Sequence, residues 1–476
     1  MTAYSGAAGS ATVTRLATAR QSASSADRQV GARVTVIGCG HVGLVIAAGL
    51  AELGHDVAGL DRDESLIRDL RAGRTRIREE GLPELVQAGL ASRRLRFETA
   101  YEEAVPDAEF ILLAVDTPQT LAGAADLRNI RAAIGSLAES LNGSGPILVN
   151  KSTSPIGTGE SIEMMLEAAL LEQHLRPRIV SNPEFLRQGV AVHDFFHPDR
   201  IVVGSRSEVD ARAVADLYRG LPGEVIVTDL RTAEMIKYVA NAFLATRISY
   251  INEIARLCEH LGIDVDRVVE GVALDPRIGG HFFRPGIGFG GSCLPKDVAA
   301  LRYVGETLGV ATPLLSAVQE VNTAQRAGAV RRLRARLGTL EGKTIGVWGL
   351  TFKGGTEDTR DSPAMDVVAL LRNDGAIIRA YDPAVLADPE LVPERWRSML
   401  VRSAIEAGIG AQAVAILSDW DEFRSVPLAA LRAVMAGSVL FDGRNVLVRA
   451  DAEQHGFAYI GVGRVSSSHR RRQTDP

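Results

Sequence analysis

The stretch Arg33-Val-Thr-Val-Ile-Gly-Cys-Gly-His-Val-Gly43 decides the fold of this 476-residue chain. Residues 34–37 are β-branched, in the manner of a buried strand. Gly38-x-Gly40-x-x-Gly43 then opens a run, Leu44 to Leu53, with apolar residues at helical spacing. Strand, tight turn and helix in that order make a dinucleotide fingerprint: the glycines allow the turn and let backbone N–H groups at the helix start approach a pyrophosphate. His41 and Val42 lie inside that turn. A second strand, Asp56 to Leu60, ends at Asp61, roughly 20 residues on, where an acid meets the ribose hydroxyls of NAD and repels the 2′-phosphate of NADP. Arg62, next in line, is a cation that would favour phosphate instead. NAD is the expected cofactor.

Outward from this unit, further strands are expected at Glu109–Val115, Pro146–Asn150 and Arg200–Gly204, separated by helix-length segments, giving an α/β doubly wound domain over 31–215. From Thr232 to about His260 the chain has neither Pro nor Gly, and Ile236, Val239, Ala240, Phe243, Ile251, Ile254 and Ala255 recur at helical intervals. That predicts a spine helix of about 40 Å at 1.5 Å per residue, at the head of a helical middle domain over 216–328. After Gly342 the pattern restarts with strands at Lys343–Gly349 and Ala376–Tyr381, the latter ending at Asp382-Pro383, and no second G-x-G-x-x-G follows. The expected fold is therefore two Rossmann-like domains joined by a long central helix and a helical middle domain, with the second over 329–464. Residues 1–30, rich in Ala, Ser and Thr, and the basic end 465–476 read as disordered tails.

Lysine and arginine total 53 against 58 acids, a net charge of −5, which argues against a nucleic acid or an anionic membrane as the main partner. No apolar run reaches the roughly 18–20 residues of a membrane span, so a cytoplasmic protein is expected. Cys39, Cys258 and Cys293 show no C-x-x-C spacing and suit a reducing compartment. The nine histidines have no ligand spacing, so no metal is expected.

The loop Arg277-Ile-Gly-Gly-His-Phe-Phe-Arg-Pro-Gly-Ile-Gly-Phe-Gly-Gly-Ser-Cys-Leu-Pro-Lys-Asp297 concentrates chemistry: its glycines expose backbone amides, and Cys293 stands beside Lys296 and Asp297, a cation that favours a thiolate and a carboxylate fit to act as base. On the spine helix Lys237 and Asn241 are four apart and share a face, a pairing suited to an oxyanion. Lys151-Ser-Thr153-Ser-Pro155 and Asn182-Pro-Glu184-Phe-Leu-Arg-Gln-Gly189 follow strands of the first domain, where open α/β sheets bind ligands.

Assembled, the fingerprint, Val115-Asp-Thr-Pro118, Lys151 to Pro155, Asn182 to Leu186, Lys237 with Asn241, Gly290-Gly-Ser-Cys-Leu-Pro-Lys-Asp297, Phe352-Lys353 with Asp358-Thr-Arg360, and Phe441-Asp-Gly-Arg444 resemble the UDP-glucose/GDP-mannose dehydrogenase family from about Arg33 to Gly463. The resemblance implies an NAD-binding lobe, a central helix that pairs two subunits into a homodimer or larger assembly, a C-terminal lobe for a UDP-sugar, and oxidation of a primary alcohol to an acid with two NAD per turnover. It makes Cys293 the nucleophile that holds the aldehyde. Lys237 and Asn241 become the oxyanion holders, Lys237 or a water held by Asp297 the first base, and Asp297, Thr153 and Glu184 the water site. Gly38, Gly40, His41, Val42, Gly43, Asp61, Arg62, Thr117, Thr153, Lys296 and Arg360 match cofactor positions. Glu184, Phe185, Leu186, Arg187, Lys237, Asn241, Phe282, Phe289, Gly290 and Phe352 match substrate positions, with Arg284, Lys353 and Arg444 as cations expected around one cleft facing Cys293. Arg277 matches an arginine that reaches into the partner subunit's site. Gln188 departs from the pattern, standing where some relatives carry an acid, which puts that position's part in water activation in doubt. The run from Arg277 to Phe283 is similar to the members that oxidise UDP-glucose to UDP-glucuronate; GDP-mannose and UDP-N-acetylhexosamine are the alternatives. Outside the family, a 3-hydroxy-acid dehydrogenase would not need Cys293, and a noncatalytic nucleotide-sugar sensor would have lost Cys293 or Lys237.

Overall fold

The structure, a computed structural model, describes residues 14–16, 31–120, 122–141, 145–170 and 176–464. The chain forms two compact units, 1–239 and 240–476.

The first unit is built on a nine-stranded sheet: β1 (Thr14–Leu16), β2 (Arg33–Ile37), β3 (Asp56–Leu60), β4 (Leu95–Glu98), β5 (Phe110–Leu113), β6 (Ile147–Asn150), β7 (Arg178–Ser181), β8 (Arg200–Ser205) and β9 (Glu224–Thr228), in the order β1-β9-β8-β7-β6-β5-β2-β3-β4. All neighbours are parallel except β7 with β8 and β1 with β9. Both faces are covered, which is why the strands read as nearly unbroken apolar runs. Alternate residues serve opposite cores: Val34, Val36 and Leu112 join the core on one face, Ile37, Ile111 and Leu113 that on the other. The order reverses at β2, with β3 on one side and β5 on the other, and a crevice for ligands is expected at the carboxyl ends there.

Two expectations are corrected. Strand β9 lies beyond residue 215, yet it pairs in parallel with β8 and belongs to the first sheet; its five residues after Leu221-Pro-Gly223 are too few to show a period. Thr14–Leu16 falls in the stretch taken as a disordered tail and instead pairs antiparallel with β9, Thr14 opposite Val227. The rest of 1–30, and 465–476, lie outside the described residues.

The spine helix runs Leu230–Leu261, close to the predicted span. The second unit carries helices Val265–Ala273, Leu294–Thr307 and Pro313–Leu337, then a parallel five-stranded sheet of β10 (Thr344–Trp348), β11 (Ile377–Tyr381), β12 (Ala413–Ile416), β13 (Val439–Asp442) and β14 (Ala458–Gly461), in the order β11-β10-β12-β13-β14. Ile345 and Val347 face one core, with Ile251 and Ala255 of the spine helix and Ala329 and Leu333 of Pro313–Leu337; Trp348, Val414 and Ile416 face the other. The two-sheet α/β architecture with a helical middle region is the expected one. Among the described residues no helix is long and apolar enough to cross a membrane.

Candidate active site

The fingerprint glycines do different jobs. Gly38 has φ +97, and a Cβ there would meet the Ala114 carbonyl oxygen at 2.6 Å; a Cβ on Gly43 would fall 1.8 Å from the Gly38 oxygen. The fold itself requires both. A Cβ on Gly40 would meet nothing within 4 Å, so glycine there keeps space open at the N-terminus of helix His41–Glu52, whose first N–H groups have no side-chain cap. That cradle fits the diphosphate of a dinucleotide. Asp61, half-exposed at the end of β3, accepts from the Cys39 N–H at 2.8 Å and the Asp63 N–H at 3.0 Å, which fixes its carboxylate beside the turn. Arg62 is exposed and Val42 half-buried. The His41 ring nitrogen lies 2.7 Å from buried Glu79, whose carboxylate also takes the N–H groups of Gly189 and Ala191. Thr117 donates to the Thr153 carbonyl at 2.5 Å, tying the β5 and β6 loops together.

Beyond β7 the chain enters Asn182-Pro-Glu184, which meets the spine helix at a buried ion pair: Lys237 Nζ lies 3.1 Å from Glu184 Oε1, with the two side chains only 5% and 6% exposed. Burial opposes ionisation of Glu184, but the Lys237 ammonium and the Leu186 N–H, at 2.6 Å, hold its carboxyl below the usual range. Phe185 carries the Arg200 guanidinium 3.9 Å from its ring centre and Lys237 Nζ 5.3 Å from it. Half-buried Leu186 packs toward the first-unit core, and exposed Arg187 forms a bidentate pair with Asp194. The sequence marks Lys151 only as part of a motif. It is buried, bonds Asn182 Oδ1 at 3.1 Å and the Tyr218 hydroxyl at 3.3 Å, and desolvation pushes its ammonium down to about 7, with Glu184 opposing the shift and Lys237 adding to it. Its position immediately after β6, at a carboxyl strand end, was the signal for it.

In the second unit Cys293 is the exposed N-cap of helix Leu294–Thr307, its Sγ 3.7 Å from the Ser292 hydroxyl; a thiol at a helix N-terminus faces the positive end of the backbone dipoles. Four residues on, buried Asp297 accepts from Lys296 Nζ at 2.6 Å and from Asn241 Nδ2 at 2.6 Å, so three of the predicted residues form one contiguous group. The preceding loop is moulded by close packing. A Cβ on Gly290 would meet the Asp361 oxygen at 2.2 Å, one on Gly291 the Phe352 ring at 2.9 Å, and the buried Phe289 backbone is clasped on both sides by the Asn322 amide. Arg444 differs from its expected part as an open phosphate cation. It is half-buried and donates to the carbonyls of Leu417, Gly288 and Phe352 at 3.0, 2.8 and 2.8 Å, stitching three loops. Lys353 Nζ lies 5.7 Å from the Phe352 ring centre, Arg284 and Phe282 are exposed, Phe282 in a left-handed conformation at φ +57, and Arg360 forms a bidentate pair with Asp358. Arg277 is 86% exposed and paired with Asp275. Among the described residues no group of three or more His, Cys, Asp or Glu is placed to hold a metal ion.

Comparison with known proteins agrees with this chemistry. Residues 32–222 match the NAD binding domain of the UDP-glucose/GDP-mannose dehydrogenase family, 231–324 its central domain and 346–449 its UDP binding domain. The chain is 41% identical over 433 residues to UDP-glucose 6-dehydrogenase TuaD of Bacillus subtilis, covering 91% of this chain and 93% of that one. It is similar in structure to a UDP-glucose dehydrogenase from the hyperthermophilic archaeon Pyrobaculum islandicum, with TM-score 0.85, 38% identity and coverage of 92% and 99%. A UDP-D-ManNAc dehydrogenase from Pyrococcus horikoshii follows, with TM-score 0.80, 29% identity and coverage of 91% and 99%. With an open dinucleotide cradle, a thiol at a helix N-terminus and all three domains matched, the chain belongs to the UDP-glucose/GDP-mannose dehydrogenase family, as an NAD-binding nucleotide-sugar dehydrogenase.

Proposed function

We propose that the protein oxidises the C6 primary alcohol of UDP-glucose to the carboxylate of UDP-glucuronate in two steps on one site. The observation that carries this is the exposed Cys293 at its helix N-terminus, with Asp297 and Asn241 hydrogen-bonded one turn away. NAD, when bound, supplies the hydride acceptor for each step. Lys237, or a water held by Asp297, takes the hydroxyl proton as hydride leaves C6. The Cys293 thiolate adds to the aldehyde carbon, and Asn241 and Lys237 stabilise the oxyanion of the thiohemiacetal. Loss of a second hydride leaves a thioester. Water, activated by Asp297, Thr153 and Glu184, then breaks the C–S bond and returns the thiol. The sum is one alcohol, one water and two NAD⁺ to one carboxylate, two NADH and three protons.

The reading places NAD binding in the domain of the first sheet, extended past 215 to include β9, pairing and the thiol in the stretch from there to 328, and the nucleotide in 329–464. It makes the protein a cytoplasmic homodimer in which exposed Arg277 serves the partner's site. Exposed Val239, Phe243, Tyr250, Leu257 and Leu261 along the spine helix support such a face. The likeness to a UDP-D-ManNAc dehydrogenase keeps an N-acetylhexosamine as the second reading. A 3-hydroxy acid would leave the UDP binding domain without purpose. The test is NADH formation with UDP-glucose, GDP-mannose, UDP-N-acetylglucosamine and UDP-N-acetylmannosamine. UDP-glucose is expected to give two NADH per sugar and Cys293→Ser no acid. One NADH with free aldehyde from the wild type would sink the thioester route, and a higher kcat/KM with an N-acetylhexosamine would move the substrate.

A further inference from the structure

A small cavity in the first unit is lined by Asn150, Ser152, Thr153, Ser154 and Ser181, with Glu234 and Lys237 at its walls, and is about one water in size. Its polar groups are not all satisfied. Asn150 Nδ2 donates to Ser154 Oγ at 2.8 Å, but Asn150 Oδ1, in a residue 2% exposed, has no hydrogen-bond partner. Such an orphan is destabilising unless water reaches it. Glu234 lies three residues before Lys237 on the same helical face. Its carboxylate accepts from the Gly157 and Gly159 N–H groups at 2.6 and 2.8 Å and from Ser181 Oγ at 3.2 Å, and a carboxylate has about four lone-pair sites. A water that accepts from Lys237 and donates to Asn150 Oδ1 and Glu234 makes three hydrogen bonds, the usual number for a buried water.

We propose that this cavity holds one ordered water through which Lys237 passes protons to Glu234, so that Glu234 serves the alcohol oxidation as a proton-relay position away from the substrate. An N–H bond of the Lys237 ammonium breaks as an O–H bond forms on the water; the water's O–H bond facing Glu234 breaks as one forms on the carboxyl. Lys237 and Glu234 are both left neutral and no electrons change hands. Burial already biases Glu234 toward the protonated form, and Glu160, ion-paired with exposed Arg231, adds to this from the surface side. Glu184 and Lys151 also act on Lys237's surroundings. The need is chemical: three protons leave for each alcohol taken to a carboxylate, while Lys237 and Glu184 are closed off from solvent.

The inference rests on Lys237 serving an NAD-linked oxidation. Glu234→Gln keeps an acceptor oxygen for one of the two glycine N–H groups but takes no proton. It is expected to lower kcat by about tenfold to a hundredfold, with KM for the nucleotide sugar unchanged, and to enlarge the solvent deuterium isotope effect on kcat; Glu234→Asp recovers part of the loss. Asn150→Leu, which fills the cavity and leaves Glu234 in place, should give the same signature. A high-resolution crystal structure of the wild type should show a water within hydrogen-bond distance of Asn150 Oδ1. Unchanged kcat and isotope effect in either folded variant overturns the relay, as does a dry wild-type cavity, which decides alone if neither variant folds. A wild type that reduces no NAD on any UDP- or GDP-sugar defeats the functional reading and the relay with it. An active wild type beside unaltered variants defeats the relay only.

Discussion

After β2 and after β10 the chain turns in the same way. Each strand ends in a left-handed glycine, Gly38 at φ +97 and Gly349 at φ +92, and in each unit the aspartate closing the neighbouring strand accepts the N–H of the residue that follows: Asp61 from Cys39 and Asp382 from Leu350, both at 2.8 Å. What surrounds the turns differs. Asp382 is buried and also takes the Thr351 N–H and hydroxyl, the Trp420 indole N–H, and the N–H groups of Ala384 and Val385. The space beside Gly349 is filled by Ser418, 2.2 Å from where a Cβ would stand. Asp61 carries two backbone donors, faces solvent in part, and has the open volume over Gly40 beside it. One backbone motif thus keeps acceptor capacity and room beside β2 and has both used up beside β10.

The aspartates test this most severely. Asp382→Ala leaves several buried donors unpaired and should destabilise the second unit by about 3–5 kcal/mol, read as a shift in urea midpoint. Asp61→Ala should cost under about 1 kcal/mol in stability and instead weaken NAD about tenfold to a hundredfold while narrowing the preference over NADP. Equal stability losses would erase the distinction. The glycines come next. Gly349→Ala should destabilise by about 2–3 kcal/mol through its left-handed φ and the clash with Ser418, whereas Gly40→Ala should leave the unfolding midpoint in place and weaken NAD binding by titration. A Gly40→Ala protein with normal NAD affinity would move the diphosphate off the helix N-terminus.

The smallest effect separates the units by charge. Lys151 titrates at about 7 when folded and near 10.5 when unfolded, so between these values the unfolded chain holds a proton that the folded one lacks. Its contribution to stability is therefore present above 10.5 and lost as pH falls through about 7. Lys151→Met removes that dependence, and the wild type should gain on the variant by about 2 kcal/mol between pH 7.5 and 9.5. A constant difference across that range would mean an ordinary lysine.

The fingerprint, Asp61 and the spine helix were legible because each carries its own local signal: glycines at fixed spacing, an acid at a strand end, some thirty residues without a breaker. Strands β4, β7 and β9, four or five residues each, are too short for a period to show, and the antiparallel turn between β7 and β8 is a matter of tertiary pairing. Cys293, Asp297 and Asn241 were readable as a set, and the latter two do meet. Arg444 was read by its charge, but its donors go to carbonyls brought from Gly288, Leu417 and Phe352, a convergence no local pattern encodes. Asn150 and Glu234 carry no motif; only a cavity and an unmet acceptor single them out.

Cys39 and Cys258 are buried, with the Cys39 thiol pushed far up by desolvation, while Cys293 is exposed. Reagents that report on thiols therefore meet one accessible sulfur in the native protein and three after denaturation. The ratio of those two readings counts competent molecules in any preparation, independently of turnover. Storage without reductant should also age the protein at a single atom and, on the proposed thioester route, its activity should decline in step with the loss of one titratable sulfur while the fold stays intact.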